Sequence, residues 1–177
     1  MCGVGIQPII CLRQGVSSIQ IHILAVGKLK ERYWAEAAQA YLKRLSFYAD
    51  VYLDEVPDQP VPKTPSPGER AGVLAAEGEA LLGRIKDRDW VTALTLDGRR
   101  WTSEQFAEQW QGWMSRGAAR YVFVVGGTLG LHFRVTRRAD ALWSLSPLTF
   151  PHQMARVIVL EQLYRAFQIL RGGTYHR

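Results

Sequence analysis

Trp143-Ser144-Leu145-Ser146-Pro147-Leu148-Thr149-Phe150-Pro151-His152 delivers the chain from a short apolar strand, through a proline-punctuated loop, into a long apolar run that closes at Tyr175-His176-Arg177. A loop bearing the hydroxyls of Ser146 and Thr149 among apolar side chains can hold an adenine or a thioether by backbone hydrogen bonds. The same residues also make an ordinary helix start, with Ser146 or Thr149 capping and the prolines as punctuation. The spacing predicts a final helix from His152 to Leu170. Its residues Met154, Val157, Ile158, Val159, Leu160, Leu163, Tyr164, Phe167, Ile169 and Leu170 are apolar almost all round. A helix of that kind is buried on more than one side, and in a small chain the second side is expected to meet another subunit.

Working back, the chain alternates strands and helices. Gln20 to Val26 reads as a buried strand ended by Gly27. Glu31 to Tyr48 follows with apolar residues at helical spacing, and Asp50 to Val56 alternates as a second strand. Pro57 to Gly68 holds five prolines, which exclude a helix interior or a central strand and predict an exposed loop. A lid, an RNA-contacting arm and a plain surface loop all fit it. Next come a helix over Glu69 to Lys86, a strand over Trp90 to Leu96 ended by Asp97-Gly98, and a helix opened by Thr102 with Gln105 three residues on. Arg120 to Val125 is a fourth strand, apolar after its first residue, that runs into Gly126-Gly127-Thr128-Leu129-Gly130, and Ala139 to Leu145 is a fifth.

This order predicts an α/β fold, a mostly parallel sheet with helices on both faces. Ligands of such sheets bind beyond the carboxyl ends of the strands, where Leu96, Gly126-Gly127 and the Leu145 loop fall. The glycine run lacks the spacing of a dinucleotide fingerprint and opens the fourth unit rather than the first. A tight turn and a ligand-facing loop both account for it.

At 177 residues the chain is one domain's worth, and 47% hydrophobic with 21% charged residues excludes a disordered chain. Residues 1–19 show no sustained period and are expected to be an extension outside a single domain over 20–177. Cys2 and Cys11 lack partners at metal-site spacing, so neither zinc nor a disulfide framework is expected, in keeping with a reducing cytoplasm. Met1 to Leu12 is too short to span a bilayer, and no membrane segment is expected. A net charge of +6 favours a polyanionic partner, nucleic acid above all.

These motifs resemble the RlmH family, small SPOUT-class enzymes that methylate N3 of a pseudouridine in the 23S rRNA of assembled ribosomes. The resemblance spans about Ile21 to Arg177. Leu145 to His152, Arg156, Glu161-Gln162-Leu163-Tyr164-Arg165-Ala166 and Tyr175-His176-Arg177 carry most of it, with Leu96-Asp97 and Gly126-Gly127 adding to it. It implies a C-terminal trefoil knot, a homodimer and S-adenosylmethionine as cofactor. Leu96, Gly126, Gly127, Leu145, Ser146, Pro147, Leu148, Thr149 and Phe150 would contact the cofactor. Tyr175, His176 and Arg177 would form the catalytic end, and Arg156, Arg165 and His152 would face RNA. The family often carries an acidic or polar residue before the last glycine of its glycine loop, whereas Thr128-Leu129 stand here. That departure also admits a ribosome-binding module of the same fold without turnover, or another RNA target.

Overall fold

In the computed structural model, which describes residues 18–172, five parallel strands lie in the order β2-β1-β4-β3-β5. They are β1 (Gln20–Val26), β2 (Asp50–Val56), β3 (Asp89–Arg99), β4 (Arg120–Val125) and β5 (Ala141–Trp143). The β-branched and aromatic run of β4 is buried on both sides because β1 and β3 flank it and helices cover both faces. The helices are α1 (Arg32–Leu45), α2 (Pro67–Leu82), α3 (Ser103–Met114), α4 (Phe133–Arg138) and α5 (His152–Leu170). The expected α/β architecture is the observed one.

Alternation along the strands divides the core in two. Ile21, Ile23, Ala25, Tyr121, Phe123 and Val125 face α1, α3 and α5, where Trp110, Trp113, Phe106, Trp143 and Phe167 interlock. Leu24, Val26, Val91, Val122 and Val124 face the other way, onto Leu81 of α2 and Val135 of α4. One face is aromatic and the other aliphatic.

Local chemistry sets the helix starts. Ser66 and Glu69 close a reciprocal capping box on α2 with Pro67 just inside, and Thr102 with Gln105 does the same for α3. Helix α5 runs without interior glycine or proline and begins after Pro151. It packs between α1 and α3, burying Ala155, Val159, Leu160, Leu163, Ala166 and Phe167, while Val157, Ile158, Tyr164 and Ile169 stay half-buried.

Some element ends shift, with β5 reduced to Ala141–Trp143 of the expected Ala139 to Leu145 and α2 at Pro67–Leu82 instead of Glu69 to Lys86, and two elements differ more. Helix α4 was not foreseen, because six residues carry too little periodicity to stand out and its hold is the single buried side chain of Val135. Strand β3 runs through Asp97-Gly98 instead of ending there, since Arg99 finds a distant partner in Trp143. Ile19, beside the start of β1, accepts a hydrogen bond from the Asp50 N–H and packs against the aromatic core.

Candidate functional site

Three loops meet the solvent at the carboxyl ends of β3, β4 and β5. The tail of β3 curls around the end of β5: Leu94 and Arg99 both pair with Trp143, and the Ser144 N–H donates to the Arg99 carbonyl at 2.9 Å. Gly98 permits the curl, because a Cβ there would lie 2.6 Å from the Trp143 main chain. In the loop after β4, a Cβ on Gly126 would lie 2.4 Å from the Gly130 carbonyl oxygen, and the Gly130 N–H closes back on Gly127 at 3.1 Å. The glycine run is a tight turn, and the turn holds it at the mouth of the sheet.

In the loop after β5 the hydroxyls serve the chain itself. Ser144 Oγ donates to the Ser146 carbonyl, and Ser146 Oγ accepts the Leu148 N–H at 3.0 Å. That folding leaves the main-chain N–H groups of Leu145, Ser146, Thr149 and Phe150 without an acceptor among the described residues. Beside them Leu148 is 69% exposed, and on the neighbouring tail of β3 Leu96 is 63% exposed. Unpaired amides can donate to the ring nitrogens of an adenine while exposed leucines cover apolar surface, so these residues fit S-adenosylmethionine. Trp143 turns away from them and stacks on Phe106 in the core, with ring centroids 4.3 Å apart.

The arginines lie elsewhere. Arg156 is 1% exposed; its guanidinium donates to the Val26 and Gly27 carbonyls at 2.7 and 2.8 Å and to Glu55 at 3.1 Å. It bolts the start of α5 to the end of β1 and has no face open to RNA. Burial pushes it below its ordinary value, and Glu55 offsets part of that shift. Arg165 lies along α5 against Glu161, four residues back. His152, half-buried at the first turn of α5, sits against Gly27 and Asp58. Burial, then the Arg156 charge, hold its imidazole below 6.5, against the opposing pull of Asp58. Tyr175, His176 and Arg177 lie outside the described residues, as do Cys2 and Cys11.

Two further groups hold these loops. Gln153 accepts the N–H groups of Lys30 and Glu31, joining α5 to the start of α1. Glu77 of α2 is 3% exposed: Oε1 accepts the Gln59 N–H at 3.0 Å, while Oε2 is buried without a partner among the described residues. That oxygen lies 2.8 Å from where a Cβ on Gly127 would stand. Burial pushes its carboxyl up from 4.5, and the Gln59 amide recovers only part. The signal was an acid at helical spacing between Leu74 and Leu81, in the middle of an apolar face.

Among the described residues no group of three or more His, Cys, Asp or Glu could hold a metal ion, and no helix is long and apolar enough to cross a membrane.

The probable methylase family protein from Haemophilus influenzae Rd KW20 has a similar structure, with a TM-score of 0.52 over 90% of this chain and 71% of its own, at 16% identity. That likeness is one of fold. A family model described as "Predicted SPOUT methyltransferase" matches residues 19–176. Since the match covers nearly the whole chain, the protein belongs to the SPOUT methyltransferase family.

Proposed function

We propose that this protein methylates N3 of a pseudouridine in 23S rRNA of assembled ribosomes, as a cytoplasmic homodimer with a C-terminal trefoil knot and S-adenosylmethionine as its cofactor. The observation that carries the methyltransferase reading is the loop after β5, with free amides at Leu145, Ser146, Thr149 and Phe150 beside exposed Leu148 and Leu96, in a chain of this family. The pseudouridine target rests on the resemblance of Leu145 to His152, Glu161 to Ala166 and Tyr175 to Arg177 to the RlmH family. The curl of residues 94–99 around Trp143 supports the knot. The half-buried Ile158 on α5, outside both core clusters, supports a second subunit there.

When bound, S-adenosylmethionine supplies a methyl group made electrophilic by its sulfonium. The protein's part is alignment, exclusion of water and management of one proton. Leu96, Gly126, Gly127 and Leu145 to Phe150 orient the cofactor, the amides holding its polar atoms and the leucines its apolar ones. N3 must lose its proton before it can attack; His176 relays that proton to solvent, and Arg177, which stays charged, stabilises the anion that develops, with Tyr175 adjoining them in the sequence.

The test is transfer of labelled methyl groups into intact ribosomes, free 23S rRNA and ribosomes lacking pseudouridine. Label entering only pseudouridine-containing ribosomes is expected; equal label without pseudouridine would overturn the target. Deleting Tyr175 to Arg177 should abolish transfer while S-adenosylmethionine affinity, read by calorimetry, stays within about twofold of the full chain, since no cofactor contact is removed.

A further inference from the structure

The proline-rich segment between β2 and α2 is built into the mouth of the sheet. Its start is tied to buried Glu77 through the Gln59 N–H, and its end is locked by the Ser66–Glu69 capping box. Pro57, Pro60, Pro62 and Pro65 fix φ between those ties, so little conformational entropy remains to be lost when something binds. Gln59, Val61, Lys63 and Arg70 face Thr128 and Leu129 of the glycine turn across a concavity of about 480 Å³. The segment thus forms one wall of a cleft whose other wall is a loop of the cofactor site.

The charges in that cleft are unequal. Lys63 and Arg70 are exposed and make no ion pair among the described residues. Of the acids, Asp58 lines the cleft itself but lies 3.6 Å from Lys30, Glu69 is turned onto the Ser66 N–H at 2.7 Å, and Glu77 is buried beneath. Thr128 and Leu129 bring no carboxylate. Two free cations, one a point charge and one a planar fork, match a phosphodiester. No aromatic side chain lines the cleft to stack a base, and prolines remove main-chain donors that could read a base edge.

We propose that this cleft is a backbone-phosphate site for the RNA substrate, in which Lys63 and Arg70 hold a phosphate flanking the target nucleotide while the glycine turn presents the cofactor. The proposal rests on the reading of the protein as an rRNA methyltransferase. It gives the proline-rich segment the role of a preformed arm that sets the register of the RNA without reading its sequence.

Binding of the full chain to purified ribosomes, followed by sedimentation across a salt series, decides it for wild type, Lys63→Ala, Arg70→Ala, the double variant and Arg70→Lys. Both side chains are exposed, so folding is unaffected. The double variant should bind about tenfold more weakly at moderate salt, with the slope of log affinity against log salt reduced by about one for each cation removed. Arg70→Lys should keep the slope. In parallel methyl transfer, KM for ribosomes should rise while kcat and S-adenosylmethionine affinity hold. Unchanged affinity and slope in the double variant would overturn the site, as would weaker binding with an unaltered slope, or a wild type that does not bind ribosomes at all. A wild type that binds with the expected slopes yet transfers no methyl group sinks the function proposed above and leaves the phosphate site standing.

Discussion

Two buried carboxylates, one at each end of the sheet, are treated in opposite ways. At the amino ends of β3 and β4, Asp89 takes both arms of the Arg120 guanidinium and the Lys86 N–H, and Arg138 caps the Lys86 and Asp89 carbonyls nearby. Burial alone would raise the Asp89 carboxyl, but Arg120 and the Lys86 amide more than offset it and hold the group below 3.8. At the carboxyl ends, Glu77 has one amide partner, one orphaned oxygen and a pKa raised above 4.5. The Asp89 carboxylate is satisfied and stabilises the fold. The Glu77 carboxylate keeps one oxygen unmatched at the end of the sheet proposed to receive the cofactor.

The largest effect should come from breaking the satisfied end. Asp89→Asn strands a guanidinium that is mostly buried, and losing one partner of such a pair costs about 3–5 kcal/mol. The melting temperature should fall on the order of 10 °C, while S-adenosylmethionine affinity of the folded protein is unchanged. Because the folded carboxyl is depressed, the wild-type advantage is complete above 3.8 and disappears as pH falls through the lower folded value. Thermal melts of both proteins from neutral to acid pH check this; a constant difference would show that the ion pair is not its source.

Leu148→Ser should do the reverse. The side chain is already exposed, so the melting temperature should stay within about 1 °C. S-adenosylmethionine affinity should fall about tenfold if the leucine is buried by the cofactor, as calorimetry would record. A drop in stability with full affinity would contradict the contrast between the two ends.

The smallest effect sharpens it. Glu77→Gln keeps an acceptor for the Gln59 N–H and removes the titration. With a raised folded value, wild type binds more protons folded than unfolded, so its stability declines as pH rises from 4.5 through that folded value. Glu77→Gln lacks this decline and should equal or slightly exceed wild type at neutral pH, losing that advantage as pH falls toward 4.5. The pH course of the difference should therefore run opposite to that of Asp89→Asn.

Much of the frame was legible in the chain. Strands β1 and β4 lie where apolar runs end in glycine, β2 where an alternating run meets Pro57, and α5 where a proline precedes an unbroken helical stretch. These signals are local: strand propensity, capping and periodicity each act within a few residues. The loops expected at the mouth of the sheet are there. What the residues could not convey is which polar groups stay free. Ser146 spends its hydroxyl on Leu148, and only then are the amides of Leu145 and Thr149 left over.

By itself the sequence determined the alternation of elements, the parallel sheet and the family, because apolar period and motif spacing are properties of neighbouring residues. The tertiary structure alone decided that Arg156, which the resemblance turned toward RNA, is swallowed by the carbonyls at the end of β1, 129 and 130 residues away along the chain. It decided that β3 continues past Gly98 to embrace Trp143, and that Glu77 faces Gly127 and ties down the proline-rich arm. Burial and partner choice depend on contacts between distant segments, and a charged residue looks the same in the sequence whether the fold brings it a carbonyl or leaves it in water.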